Sequence, residues 1–95
     1  MEHFYFNIDG WFGFEAIYRD AVRDLDGIFV EVGAWKGRST AFIAVEALNS
    51  GKAIDLHVVD TFSGSDEEEH RSDPDIHNLR AVFDRNMVAV RDFLT

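Results

Sequence analysis

Val30-Glu31-Val32-Gly33-Ala34-Trp35-Lys36-Gly37-Arg38-Ser39-Thr40 is the stretch on which the fold turns. With Ile28 and Phe29 its start is apolar and β-branched save for Glu31, and glycines at 27 and 33 bound it. That pattern predicts a central strand buried on both sheet faces. Its end is a glycine turn that opens a helix over Ser39–Ser50, apolar through most of 41–48, with Gly51 placed as a left-handed terminator. A second apolar run, Ile54 to Asp60, comes after it. Strand, helix and strand in this order predict a right-handed parallel crossover. Each strand finishes near a carboxylate, Glu31 or Asp60, so the strand ends define the candidate site.

Outward from this unit, Phe14, Ile17, Tyr18, Ala21, Val22 and Leu25 mark one helix face, stopped by Asp26-Gly27. Residues 1–12 form an N-terminal arm in which Phe4, Phe6 and Ile8 alternate with polar residues, which reads equally as a short extended segment or as an aromatic strip docked as loop, with Trp11, Phe12 and Phe14 expected to staple the helix to the sheet rather than to touch substrate. Residues 63–75 are polar, hold the chain's one proline and read as an acidic loop or frayed helical turn. Ile76, Leu79, Phe83, Met87 and Val90 mark a last helix, and no third strand is written after it. The expectation is one partial Rossmann-like α/β domain over residues 1–95, in the order helix-strand-helix-strand-helix.

A chain of 95 residues buries only about 60–65% of its unfolded surface, so its core is marginal and a partner is expected to contribute. Nine Phe and two Trp supply material for that core. The formal charge of −9 repels phosphate backbones and anionic lipid, which argues against nucleic acid and membrane surfaces as partners. The absence of cysteine excludes a disulfide framework and a thiolate zinc site, and fits a cytoplasmic location, as does the lack of a signal-peptide pattern at Met1-Glu2-His3-Phe4.

The glycine turn carries the chemistry. Glu31, set between Val30 and Val32, is costly to bury unless a cation or donors meet it. It is read either as a ligand contact or as a structural hydrogen bond to the backbone of the neighbouring loop. Gly33 lets the chain leave the strand steeply, and Gly37 removes a side chain where the helix begins, so that a ligand can approach backbone amides. Trp35 and Lys36 stand where a dinucleotide fingerprint wants glycine, and only three residues separate the glycines where a phosphate loop needs four. A cofactor with an ammonium, a carboxylate and an adenosine fits better. Glu31 would meet the positive end, amides of Gly33 to Gly37 the negative end, and Asp60 the ribose hydroxyls. S-adenosylmethionine carries all of these groups.

Phe29 to Thr40, followed by Val58-Val59-Asp60-Thr61-Phe62-Ser63-Gly64, resembles the class I S-adenosylmethionine-dependent methyltransferases. Within them it is similar to the small-molecule O-methyltransferase-like group, whose first motif runs acid, any residue, Gly, three residues, Gly, any residue, Ser. The resemblance spans roughly Gly27 to Asp92. It implies that Glu31, Gly33 and Gly37 line the methionine part of the cofactor and that Asp60 holds the ribose. The family's sheet has seven strands, so the resemblance implies a cofactor-binding half, truncated relative to the full fold and completed by oligomerisation or a partner chain.

The expected cofactor-binding set is Glu31, Gly33, Ala34, Trp35, Gly37, Ser39, Asp60, Thr61 and Phe62, with a small-molecule methyl acceptor as substrate and no residue assigned as general base. Trp35 and Phe62 are expected to flank the pocket, although core packing reads equally well for Phe62. Asp66, Glu67, Glu68, Glu69, His70, Asp73 and His77 are rich in ligand atoms but read as a solvated acidic loop, and no metal is expected. Two further readings stand beside the methyltransferase: a non-catalytic cofactor-binding or assembly module, and an NAD-dependent oxidoreductase fragment that keeps only Asp60 in its favour.

Overall fold

The computed structural model describes residues 1–64 and 68–95. It is a mixed α/β structure, about half helix, built on a two-stranded parallel sheet. Its elements are α1 (Glu15–Asp24), β1 (Gly27–Val32), α2 (Arg38–Ser50), β2 (Ile54–Val59), a single turn α3 (Glu68–Arg71) and α4 (Leu79–Asn86). β1 and β2 pair in parallel with Gly27 opposite Ile54 and Val32 opposite Val59, so both glycine-turn and Asp60 ends lie at the same edge of the sheet. Among the described residues no helix is long and apolar enough to cross a membrane.

α2 organises the core. Seven of its residues from Thr40 to Ala47 are buried, because the sheet, α1, the N-terminal arm and the segment after α4 all pack around it. Left-handed glycines close both of its ends: Gly37 precedes its first turn at φ +101°, and Gly51 stops it at φ +69°, its amide on the Leu48 carbonyl. Past Gly51, Lys52 places its ammonium on the carbonyls of Val22, Arg23 and Leu25, which satisfies the otherwise unpaired C-terminus of α1. The expected helix stop at Asp26-Gly27 is therefore reinforced from the far end of α2.

The expected burial of β1 on both faces is corrected. Phe29 and Glu31 face α2 with Ile54, Leu56 and Val58, whereas Ile28, Val30 and Val32 are 72%, 58% and 77% exposed on the other face. The apolar run reads as central because its sequence carries no mark of which face has a covering layer. The outward face of α1 is similarly open. Val22 is buried, but Ile17 and Leu25 are exposed and join Ile28 along a groove of about 400 Å³ at the free edge of β1.

Of the two readings of the N-terminal arm, the structure displays the docked one and not the extended one. It makes a 3₁₀ turn at Tyr5–Asn7, which brings the rings of His3 and Tyr5 onto Phe42 of α2 and buries Ile8. Of the three expected staples, Phe12 packs on Phe42 and Tyr18, while Trp11 and Phe14 lie exposed against each other. The last helix is also broken, into a 3₁₀ turn at Ile76–Asn78, α4, and a 3₁₀ segment at Val88–Phe93. The break at Met87 turns the chain so that Leu94 and Thr95 pair in parallel with β2, Thr95 exchanging hydrogen bonds with Leu56 and Val58. A third line of sheet thus begins where the sequence pattern marks none.

Gly37 answers to packing as well as backbone shape. A Cβ there would lie 2.6 Å from Met87 Cε and 3.1 Å from Phe83, whereas one at Gly51 would meet nothing within 4 Å. Gly37→Ala is therefore expected to cost about 2–4 kcal/mol and Gly51→Ala about 1 kcal/mol. Urea midpoints of the two variants check this, and equal losses would contradict the packing role.

Candidate functional site

The two strand ends are tied together by Asp60. Its Oδ2 accepts the amides of Ala34 and Trp35 from the loop after β1, the latter at 3.2 Å, and its Oδ1 accepts the Phe62 amide at 2.7 Å. Burial alone would push this carboxyl up. The amides of Phe62, Ala34, Trp35 and Thr61 outweigh that and hold it below the usual carboxylate range, so it stays ionised.

Above this junction lies a cavity of about 260 Å³ lined by Gly33, Trp35, Asp60, Gly64, His70 and Leu79. Gly33 takes φ +86°, and a Cβ built on it meets nothing within 4 Å, so this backbone faces open space. Trp35 is itself left-handed, at φ +51°, a costly conformation for a bulky residue. Its ring stacks on His70 at 4.0 Å between centroids, and it fits between Gly10 and Gly64, where added Cβ atoms would come within 3.2 and 3.4 Å of it.

The predicted site residues divide between this cavity and its supports. Gly33, Trp35 and Asp60 line it, and Ala34 is buried beneath it. Glu31 is 7% exposed, and each of its oxygens has a protein donor, Thr40 on Oε1 and Tyr18 on Oε2 at 2.9 Å. Its donors are side chains of α2 and α1, not the backbone of the neighbouring loop. Ser39 interacts with Tyr18 beside it. Gly37 packs against α4, Thr61 is exposed, and Phe62 packs on Phe83 under Arg80, outside the cavity lining.

Lys36 is the feature that sequence reasoning misses. It is 3% exposed, yet its ammonium meets Asp9 at 2.9 Å, Asp73 at 3.0 Å and Asp75 at 3.1 Å. Burial alone would lower its pKa; hydrogen bonds to the three carboxylates reverse that and raise it above the usual lysine range. Asn86 of α4 donates to its carbonyl at 2.9 Å, which fixes the backbone from which the side chain reaches. Nothing in a lysine between two glycines points to partners 27 and 37 residues away.

In the acidic segment, Asp66 and Glu67 lie outside the described residues. Asp73 turns onto Lys36, and Asp73 and His77 lie in an irregular position and a 3₁₀ turn rather than on one helix face. Among the described residues no group of three or more His, Asp or Glu is placed to hold a metal ion. His57 sits on the open sheet face with Asp55 at 3.2 Å. Comparison of the chain with protein-family models, curated proteins and solved structures returned no match.

The Tyr18–Glu31 pair gives a pH dependence with a definite sign. Burial, then the Glu31 charge and hydrogen bond, push the Tyr18 hydroxyl up to about 12. A raised folded-state value means that its contribution is fully present below the ordinary tyrosine value of about 10 and is lost as pH rises towards 12. Tyr18→Phe is expected to cost about 1 kcal/mol at pH 8, with the gap to wild type narrowing between pH 10 and 12. Urea unfolding across that range tests it; a constant gap would show that folding does not raise the Tyr18 hydroxyl.

Proposed function

We propose that this chain is a Rossmann-like domain that binds S-adenosylmethionine and serves methyl transfer to a small-molecule acceptor. The observation that carries the reading is the cavity at the carboxyl ends of two parallel strands, walled by Gly33, Trp35 and Asp60. In open α/β sheets ligands bind at such ends. The fit is chemical as well as positional. The open backbone at Gly33 suits the amino-acid end of the cofactor, and the Trp35 ring, now stacked on His70, suits a flat base in the place of that imidazole. Asp60 supplies an anionic acceptor, with two amides on Oδ2 and one, from Phe62, on Oδ1.

When bound, the cofactor supplies an electrophilic methyl on a sulfonium. The residues here bind and orient it, and Glu31 acts from beneath by fixing the end of β1 against Thr40 and Tyr18. None of them is assigned as a general base.

A second reading, an assembly module, is favoured by the free edge of β1. The amides of Gly27 and Gly33 point at β2, so those of Ile28, Val30 and Val32 point away from it, beside exposed apolar side chains. Such an edge accepts a further strand from a second copy or another chain. The two readings are compatible, since the edge and the cavity are separate.

Calorimetric titration with S-adenosylmethionine, and separately with NAD, tests the first reading. One saturable site is expected for S-adenosylmethionine, weakened about tenfold by Trp35→Ala through lost stacking. Selective binding of NAD would transfer the site to the oxidoreductase reading. No binding by a folded chain that sediments as a dimer or larger species would leave the assembly reading in its place.

A further inference from the structure

We propose that residues 70–76 form a strap along one side of the strand-end cavity, placing His70 in its wall and latched by Lys36 and by the stack of His70 on Trp35, and that the strap must swing out to make room for the ligand. The proposal rests on the cofactor reading for what enters, but not for whether the strap moves.

Three observations carry it. The cavity is too small as it stands: about 260 Å³, against about 300–1,000 Å³ for pockets that hold ligands of drug or cofactor size. Of its walls, Gly33, Trp35 and Asp60 are held by the Asp60 hydrogen bonds at the strand ends, whereas His70 belongs to a segment with little structure of its own. That segment is one helical turn, Glu68–Arg71, followed by a bend that Asp73 closes by accepting the Asp75 amide at 2.8 Å. A single turn is not stable by itself, so the segment is held by what it touches.

Its contacts are the third observation. Asp73 and Asp75 close on the Lys36 ammonium, and His70 closes on Trp35, both from the same glycine loop. Ile76 lies against Gly64, where a Cβ would meet its Cδ1 at 2.7 Å. Lys36 keeps Asp9 as a third partner, on the arm rather than the strap. Its charge therefore remains partly neutralised when Asp73 and Asp75 let go, which lowers the cost of opening. Release of the strap uncovers the face of Trp35 that His70 now occupies, in the cavity where the adenine is proposed to stack.

The test uses Trp35 as reporter. The chain has two tryptophans, and in a Trp11→Phe background Trp35 is the only one. Acrylamide quenching then reads how often the strap opens, and stopped-flow fluorescence reads the association rate of S-adenosylmethionine. Asp75→Asn removes one half-exposed member of the latch and leaves the bend intact; it is expected to raise both the quenching constant and the association rate about two- to fivefold. Lys36→Met should do so more strongly, and if that variant does not fold, Asp75→Asn still decides. Unchanged quenching in folded variants, or increased quenching with an unchanged association rate, overturns the strap as a gate. Increased quenching with no saturable binding by any variant upholds the moving strap and removes the cofactor reading.

Discussion

A partly buried carboxylate at the end of a strand must find donors, and Asp60 finds them in the neighbouring loop. By accepting the amides of Ala34 and Trp35 it closes the ends of β1 and β2 onto each other. That closure sets the course of the whole glycine loop. It holds Trp35 left-handed, sends the Lys36 side chain towards Asp9, Asp73 and Asp75, and brings Gly37 under Phe83 and Met87. The N-terminal arm, the segment after β2 and α4 are thus all gathered at one loop of five residues, 33–37. An ionised Asp60 keeps this arrangement, because its hydrogen bonds are to a charged acceptor and are stronger than neutral ones.

The two ends and edges of the sheet differ in kind. At the strand ends, polar groups are paired and rings are stacked around a small cavity. Along the free edge of β1, by contrast, valine and isoleucine side chains and outward peptide groups stand in the open. The physical demands of the two regions are opposite: the first needs room for a ligand, the second a covering layer.

The core unit is legible in the sequence because its signals are local. Gly27, Gly33 and Gly51 bound the apolar runs, and β1, α2 and β2 fall within one residue of their expected limits. Gly33, Trp35 and Asp60 can be grouped as one site because parallel pairing forces both strand ends to the same edge. Features set by distant partners are not legible in this way. The alternation of Phe4, Phe6 and Ile8 leaves an extended and a docked arm equally open, and Phe42 decides between them by offering the neighbouring rings a better surface through a 3₁₀ turn. The spacing from Ile76 to Val90 is helical throughout, yet the chain bends at Met87 because the edge of β2 is there to be paired. The sequence shows that Glu31 needs donors, and Thr40 and Tyr18 supply them; neither is identifiable as the partner from spacing alone.

The central claim is that the strand-end cavity is the ligand site. Its most direct test is the amide NMR spectrum of the isotope-labelled chain titrated with S-adenosylhomocysteine, the product form of the proposed cofactor. The account predicts saturable shifts concentrated at Gly33, Trp35, Asp60, Gly64 and His70. Shifts confined to Ile28, Val30 and the groove beside α1, or none at saturating ligand, would contradict it.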